Sequence, residues 1–368
     1  MSSGPIAHAN RADLLRMRRL AQAIDGPREQ DPAGVARRLL ALQGQDFAAG
    51  SWALAVRTDR ATRDDVLAEL DAGRIIRSWP MRGTLHFVPP DDLRWMLSVT
   101  TDRMVAGLAR RHEQLSLTAA DFARAADVVT GALEGGGRIG RAELMELWES
   151  AGIGTSGQRG YHLIYFLSQT GLLCWGPVVR GPNGTLAQAL VLLDEWAPAP
   201  PAIGADEAST RFLLRYLTGH GPATIRDFVW WMKGTISAAK AARAELGDAL
   251  TAIECDGAEY LVTSELADRA AATPATRAEK EAVHLLPAFD EYLLGYQDRS
   301  PILDDEHAEL IVPGGNGIFQ PIIVAGGRIV GTWRRDGARV VPAPFAELSG
   351  ARRARLERAA SAYARYAG

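Results

Sequence analysis

The sequence predicts an α+β protein, with three tandem winged helix-turn-helix domains followed by a small C-terminal β-barrel or curled sheet. Three observations lead there. Apolar residues at helical spacing give way to pairs of short strands three times along the chain. The stiff segment Ala197-Pro198-Ala199-Pro200-Pro201 and a second break near Ala271-Ala272-Thr273-Pro274 divide it. Beyond the second break, helical periodicity yields to short β-rich runs separated by glycines. These signals set expected boundaries at 8–118, 119–197 and 203–268 for the winged helices, 280–345 for the barrel and 346–368 for a final helix.

The first helix starts at Asn10, a capping residue, with Leu14, Met17, Ala21 and Ile24 on one side and Arg16, Arg18 and Arg19 on the other. In the next, Val35, Leu39 and Leu42 recur at i, i+4 and i+7. Trp52-Ala53-Leu54-Ala55-Val56-Arg57 reads as a strand. Thr62, with Asp65 three residues on, opens a helix that closes at Gly73. Ile75–Ser78 and Thr84–Val88 then form the first wing, joined by Trp79-Pro80-Met81-Arg82-Gly83.

The outline returns from Gly137. A turn and helix lead to a second helix through Tyr161 and Leu167 that stops at Gly171. The strands Leu172–Trp175 and Ala189–Leu193 follow, around the turn Gly181-Pro182-Asn183-Gly184. It returns again from Gly219, with a helix at Ser237 and a hairpin at Asp256-Gly257. Expected strands of the barrel are His284–Leu286, Leu310–Val312, Ile322–Ala325 and Arg328–Trp333, before a basic helix with Arg352, Arg353, Arg355 and Arg358.

Composition narrows the function. A chain of 368 residues is too long for one compact core. Hydrophobic content of 47% and charged content of 23% are those of a soluble globular protein. No apolar run is long enough to span a bilayer, and the start lacks a signal peptide's apolar core. Cys174 and Cys255 have no nearby Cys or His at metal-ligand spacing, so neither a zinc site nor a disulfide framework is expected, and a cytoplasmic setting fits. A net charge of −3 excludes a uniformly basic coat but leaves room for a basic channel on an acidic body.

The stretch Leu39-Leu40-Ala41-Leu42-Gln43-Gly44-Gln45-Asp46 stands out. In a continuing helix Gln43 and Gln45 would point about 200° apart. If Gly44 ends the helix and the chain turns extended, the two side chains share a face and can converge on one site. Solvation of a buried helix end is the alternative reading.

Five stretches together resemble one family. They are Leu42-Gln43-Gly44-Gln45-Asp46, Arg77-Ser78-Trp79-Pro80-Met81-Arg82-Gly83-Thr84-Leu85-His86, Val191-Leu192-Leu193-Asp194-Glu195-Trp196, Leu286-Pro287-Ala288-Phe289-Asp290-Glu291-Tyr292 and Gly331-Thr332-Trp333-Arg334. The chain resembles the AlkZ/YcaQ family of bacterial winged-helix DNA glycosylases over nearly its whole length. The resemblance implies a C-shaped arrangement around duplex DNA and a β-hairpin against the DNA, for which Cys174–Leu193 and the other wings are candidates. It also implies a catalytic Gln-x-Gln or Gln-x-Asp motif, here matched by Gln43 and Gln45 on the AlkZ-like branch.

The chemistry suits these residues. Glutamine cannot carry a proton, so the pair cannot act as the acid and base of a glycosidase. A purine alkylated at N7 or N3 already carries positive charge and leaves as a neutral base. Two amides then suffice to position water and to stabilise an oxocarbenium-like sugar. Asp46 is a candidate helper, against a plain helix-capping role. Without a lysine beside the motif to form a Schiff base, an abasic site rather than strand scission is expected.

Arg77, Trp79, Arg82 and His86 are candidate DNA contacts, since cations beside an aromatic wedge suit a distorted duplex. Trp79 as core and His86 as a structural histidine are the alternatives. Phe289, Asp290 and Tyr292 are candidates for lining a lesion channel, or for packing a strand end. No metal or cofactor is expected. The expected partner is double-stranded DNA with alkylated bases, bound by a monomer in the nucleoid. The rival reading is a non-catalytic DNA-binding protein, either a regulator or a damage- or antibiotic-binding protein. A regulator's recognition helix would be rich in Arg, Asn and Gln, unlike Val128–Leu133 or Asp227–Lys233.

Overall fold

The computed structural model describes residues 7–180, 186–197, 200–337 and 339–368. The turn expected at Gly181–Gly184, and Pro198 and Ala199 of the proline-rich segment, lie outside them. The chain divides into two compact units, one joining the residues up to Val66 with Ser209–Gly368, the other formed by Leu67–Ala208.

The first unit is built on the helix Arg11–Ala21, opened where Asn10 Oδ1 accepts the Asp13 N–H at 3.0 Å. This helix is buried from Leu14 to Ala21, arginines included. Arg18 Nε donates to Pro222 O at 2.9 Å, and its guanidinium lies 3.7 Å from the centre of the Tyr296 ring. Arg19 Nε pairs with Asp25 Oδ2 at 2.5 Å, and Arg16 Nη1 donates to Ala270 O at 3.1 Å. The polar face read from the sequence is therefore part of the core, and each of its three cations keeps at least one polar partner there.

Two sheets belong to this unit. Leu250–Cys255 pairs with Ala258–Thr263 around Asp256-Gly257, both at positive φ (50° and 78°) as a tight hairpin requires, and with Ala7–His8 in parallel. The other sheet runs in the order Arg339–Pro344, Arg328–Asp336, Ile322–Ala325, Val283–Leu286, antiparallel throughout. Gly327, at φ +93°, turns the chain where a Cβ would sit 2.2 Å from Arg19 Nη1, so only glycine fits.

The expected β-barrel is not found. Among the described residues this sheet is open, and the helix Gly350–Ala367 packs against both of its edge strands. A helix thus covers the edges that a barrel would close by pairing. Tyr363 and Tyr366 of that helix pack on Trp52, with ring centroids 5.1 and 4.9 Å away, and Tyr363 meets Trp333 at 4.8 Å.

The second unit carries antiparallel strands in the order Thr84–Val88, Ile76–Met81, Leu173–Arg180, Leu186–Leu192. Arg82 and Gly83, at φ 57° and 72°, form the first hairpin's turn, shorter than the expected five-residue connection. Helices Ala119–Leu133, Arg141–Ser150 and Arg159–Gln169 pack Phe122, Leu144, Trp148 and Leu163 with Trp79 and Leu190. Thr118 and Asp121 close a reciprocal cap at the start of the first of them.

Two strand expectations are overturned. Trp52–Arg57 lies in and just after the helix Phe47–Ala55, and Leu310–Val312 overlaps the short helix Ala308–Ile311. Residues Gly50 to Ala55 are all buried, so no polar period marks the helix, and a short apolar run reads equally as strand. The strand Arg339–Pro344 was not expected.

Candidate functional site

The helix Pro32–Leu39 opens with Asp31 capping the Gly34 N–H at 2.6 Å. It ends earlier than Gly44: Leu40 adopts φ 64°, ψ −51°, and Ala41 N–H returns to Leu39 O at 2.7 Å. The chain is then extended through Leu42–Gln43 before Asp46 caps the helix Phe47–Ala55, its Oδ1 accepting the Ala49 N–H at 3.0 Å. A non-glycine residue makes the reversal, and Gln43-Gly44-Gln45 becomes a short loop between two helices. Gln43 is half-buried, Gly44 buried, and Gln45 and Asp46 exposed.

This loop rests on a fully buried polar platform. Glu291, 0% exposed, turns Oε1 toward the Gln43 N–H at 3.4 Å. Its Oε2 accepts Trp231 Nε1–H at 2.8 Å and lies 3.3 Å from His220 Nε2. Next to it, Arg57 and Asp290 form a two-pronged ion pair at 2.7 and 2.9 Å with both side chains out of solvent. The other Arg57 donations go to Gln22 O, Gln22 Oε1 and Ala53 O, at 2.9 to 3.0 Å. Gln22 Nε2 in turn reaches Glu291 O and Tyr296 Oη at 3.3 and 3.2 Å. A buried charge this well satisfied holds its surroundings in one arrangement, because every alternative strands a charge.

The residues expected to line a channel belong to this platform. Asp290 and Tyr292 are 2% and 0% exposed; Asp290 pairs with Arg57 and Tyr292 Oη donates to Gly327 O at 2.7 Å, so both are interior packing groups. Phe289, at φ 59° and half-buried, meets Phe319 with ring centroids 5.8 Å apart. Sequence reasoning missed Glu291 as a support although it stood inside a motif already singled out. It also missed Arg57, His220, Gln22 and Trp231, which carry no local signal.

The candidate DNA contacts lie in the second unit's first hairpin. Arg77 is half-buried, with Nη1 3.1 Å from Gln188 Oε1. Arg82 Nη2 donates to His86 Nε2 at 2.9 Å, and His86 Nδ1 donates to Thr84 O at 2.8 Å, a pattern that fits a neutral imidazole with its proton on Nδ1. His86 is fully buried and Trp79 is 2% exposed, its ring edge-on to Tyr161 and Tyr165, so neither presents itself to a duplex. Arg16, Arg18 and Arg19, read from the sequence as the polar side of the first helix, are interior.

Burial also sets the thiols. It pushes Cys174 up to about 12, and raises Cys255, which leaves both as protonated packing groups. Among the described residues no three His, Cys, Asp or Glu side chains are grouped to hold a metal, and no helix is long and apolar enough to cross a membrane.

Comparison with known proteins agrees with the motif-level resemblance. The family model for "DNA glycosylase AlkZ-like" matches residues 36–366. An interstrand DNA cross-link repair glycosylase of Streptomyces sahachiroi is 28% identical over 337 residues, 87% of this chain and 86% of that one. In fold, the chain matches the solved structure of Streptomyces sahachiroi DNA glycosylase AlkZ with a TM-score of 0.82 at 24% identity, covering 98% of this chain and 97% of the other. The protein is therefore a DNA glycosylase, a hydrolase of N-glycosyl bonds, and belongs to the AlkZ-like family.

Proposed function

We propose that the protein hydrolyses the N-glycosidic bond of cationic N-alkylated purines in duplex DNA, bulky adducts and crosslinks included, and leaves an abasic site. Gln43 and Gln45 carry the chemistry. One amide orients water toward C1′, and the other turns its dipole on the oxocarbenium-like sugar. No acid is needed, because the alkylated base departs neutral. The observation that carries this reading is the fully buried Glu291 behind the Gln43 N–H, which supports the start of the two-glutamine loop from a buried polar cluster. Such preorganisation is what amide dipoles need to act on a transition state. The relative's activity on interstrand crosslinks favours large adducts as substrates. The three runs of helices followed by a hairpin support winged-helix modules as the DNA-holding scaffold.

The test is base release by the purified protein. N7-methylguanine and N3-methyladenine should be excised from duplex DNA, whereas uracil and 8-oxoguanine should persist. Efficient uracil release would overturn the mechanism, since nothing in the loop can protonate that leaving group. Tight binding of alkylated DNA with no release of any base would instead establish a non-catalytic damage-binding protein.

A further inference from the structure

A cleft of about 680 Å³ opens in the first unit, away from the glutamine loop. Its walls are the helix Gly350–Ala367 on one side and the segment 55–62 with Arg28 on the other. Five arginines line it, Arg28, Arg60, Arg355, Arg358 and Arg365, against one exposed carboxylate, Asp59. The helix Phe47–Ala55 separates the two places. Asp46 caps its start beside the loop and Ala55 ends it at the cleft, a rise of about 13 Å.

Charge pairing distinguishes this face of the final helix from its flanks. Arg352 and Arg353 have acidic partners, Glu281 at 3.6 Å and Glu347 at 2.8 Å. Among the described residues, Arg355, Arg358 and Arg365 have no hydrogen-bond or ion-pair partner. At 100° per residue these three fall within an arc of about 80°, with Ala359 and Ala362 between them, and they extend over about 15 Å of helix. Like charges crowded on one face repel one another, and the small alanines let a ligand's backbone approach closely. The wall is rigid, because Tyr363 and Tyr366 lock the helix onto Trp52, whose Nε1–H donates to Leu285 O at 2.8 Å.

We infer that this cleft is a second DNA contact, taking the phosphodiester backbone outside the segment held at Gln43 and Gln45. This rests on the protein acting on duplex DNA. One strand presents a charge about every 3.4 Å of helix axis, so a stripe of about 15 Å faces about four phosphates. Its length favours an extended polyanion over a single small anion.

The test uses the whole protein and an undamaged duplex, so that it does not depend on base release. R355Q/R358Q/R365Q should lower the slope of log K against log salt by about 2 to 3, at about 0.9 for each phosphate no longer neutralised. Affinity at about 50 mM salt should fall about tenfold or more, while the single-turnover excision rate at saturating protein stays within about twofold. R353Q, whose charge lies off the cleft, should leave the slope unchanged. If the triple variant melts lower than the wild type, R358Q/R365Q, both exposed, should still lower the slope by about 2. An unchanged slope and affinity would overturn the inference. So would loss of dAMP binding with an unchanged duplex slope, which would make the cleft a mononucleotide site. A wild type that excises no base, with the slope still lowered in the variant, would sink the proposed function and leave this site standing.

Discussion

In the proposed mechanism Gln43 acts through two different parts of itself, its amide side chain at a half-buried position and its backbone N–H, which faces Glu291 Oε1. The two parts separate chemistry from support. Changing Gln43 or Gln45 to Ala should lower the single-turnover rate about 10²- to 10³-fold, the usual loss for one preorganised dipole, with affinity for damaged DNA within a few-fold. Q45D should retain part of the rate, because a carboxylate oxygen also accepts from water. A stable double variant that excises at the wild-type rate ends the assignment. Glu291→Gln probes the support. The new amide offers an N–H where Trp231 Nε1 and the Gln43 N–H both need acceptors, so one donor is left buried and unpaired at about 1–3 kcal/mol. The expected result is a lower melting temperature together with a slower excision step. A variant with a lowered melting temperature and full excision per folded molecule would show that the platform only holds the fold.

Asp46 belongs to the element scale, since its carboxylate closes the first turn of the helix Phe47–Ala55. D46A should cost about 1 kcal/mol of stability, typical of a lost N-cap, and leave excision per folded molecule unchanged. A rate falling about 100-fold at unchanged stability would make Asp46 part of the chemistry after all. Caps of this kind were legible in the sequence, as at Asn10 and at Thr62 with Asp65, because a cap is a contact across three residues. The turn at Asp256-Gly257 and the stop at Gly171 were legible for the same reason. The helix Phe47–Ala55 was not, because burial on all sides erases its period. The end of Pro32–Leu39 at Leu40 was missed too. Leucine seldom takes positive φ, and only the surrounding packing holds it there.

At the scale of the whole molecule, three charged residues of the N-terminal segment are bound to segments more than two hundred positions away, which no local pattern can reveal. Arg18 reaches Pro222, Arg57 reaches Asp290, and Asp25 reaches His284. The motif around Gln43 was visible in the sequence; the platform beneath it was not, because its parts come together only on folding. Asp25 gives the closing test of that long-range assembly. Burial alone would raise its carboxyl, but the hydrogen bond and charge of His284, with Arg19 beside them, bring it down to about 2. The folded value lies below the usual carboxylate range, so the contribution is full above about pH 4 and is lost as pH falls toward about 2. A shift of that size corresponds to about 2 kcal/mol. Denaturant unfolding of the wild type and of D25N should therefore differ most at about pH 5 to 6, with the gap closing steadily below about pH 4. A gap of equal size at about pH 5 and about pH 2.5 would mean that the amide variant loses packing rather than an ion pair, and that the link from Asp25 to His284 adds nothing through its charge.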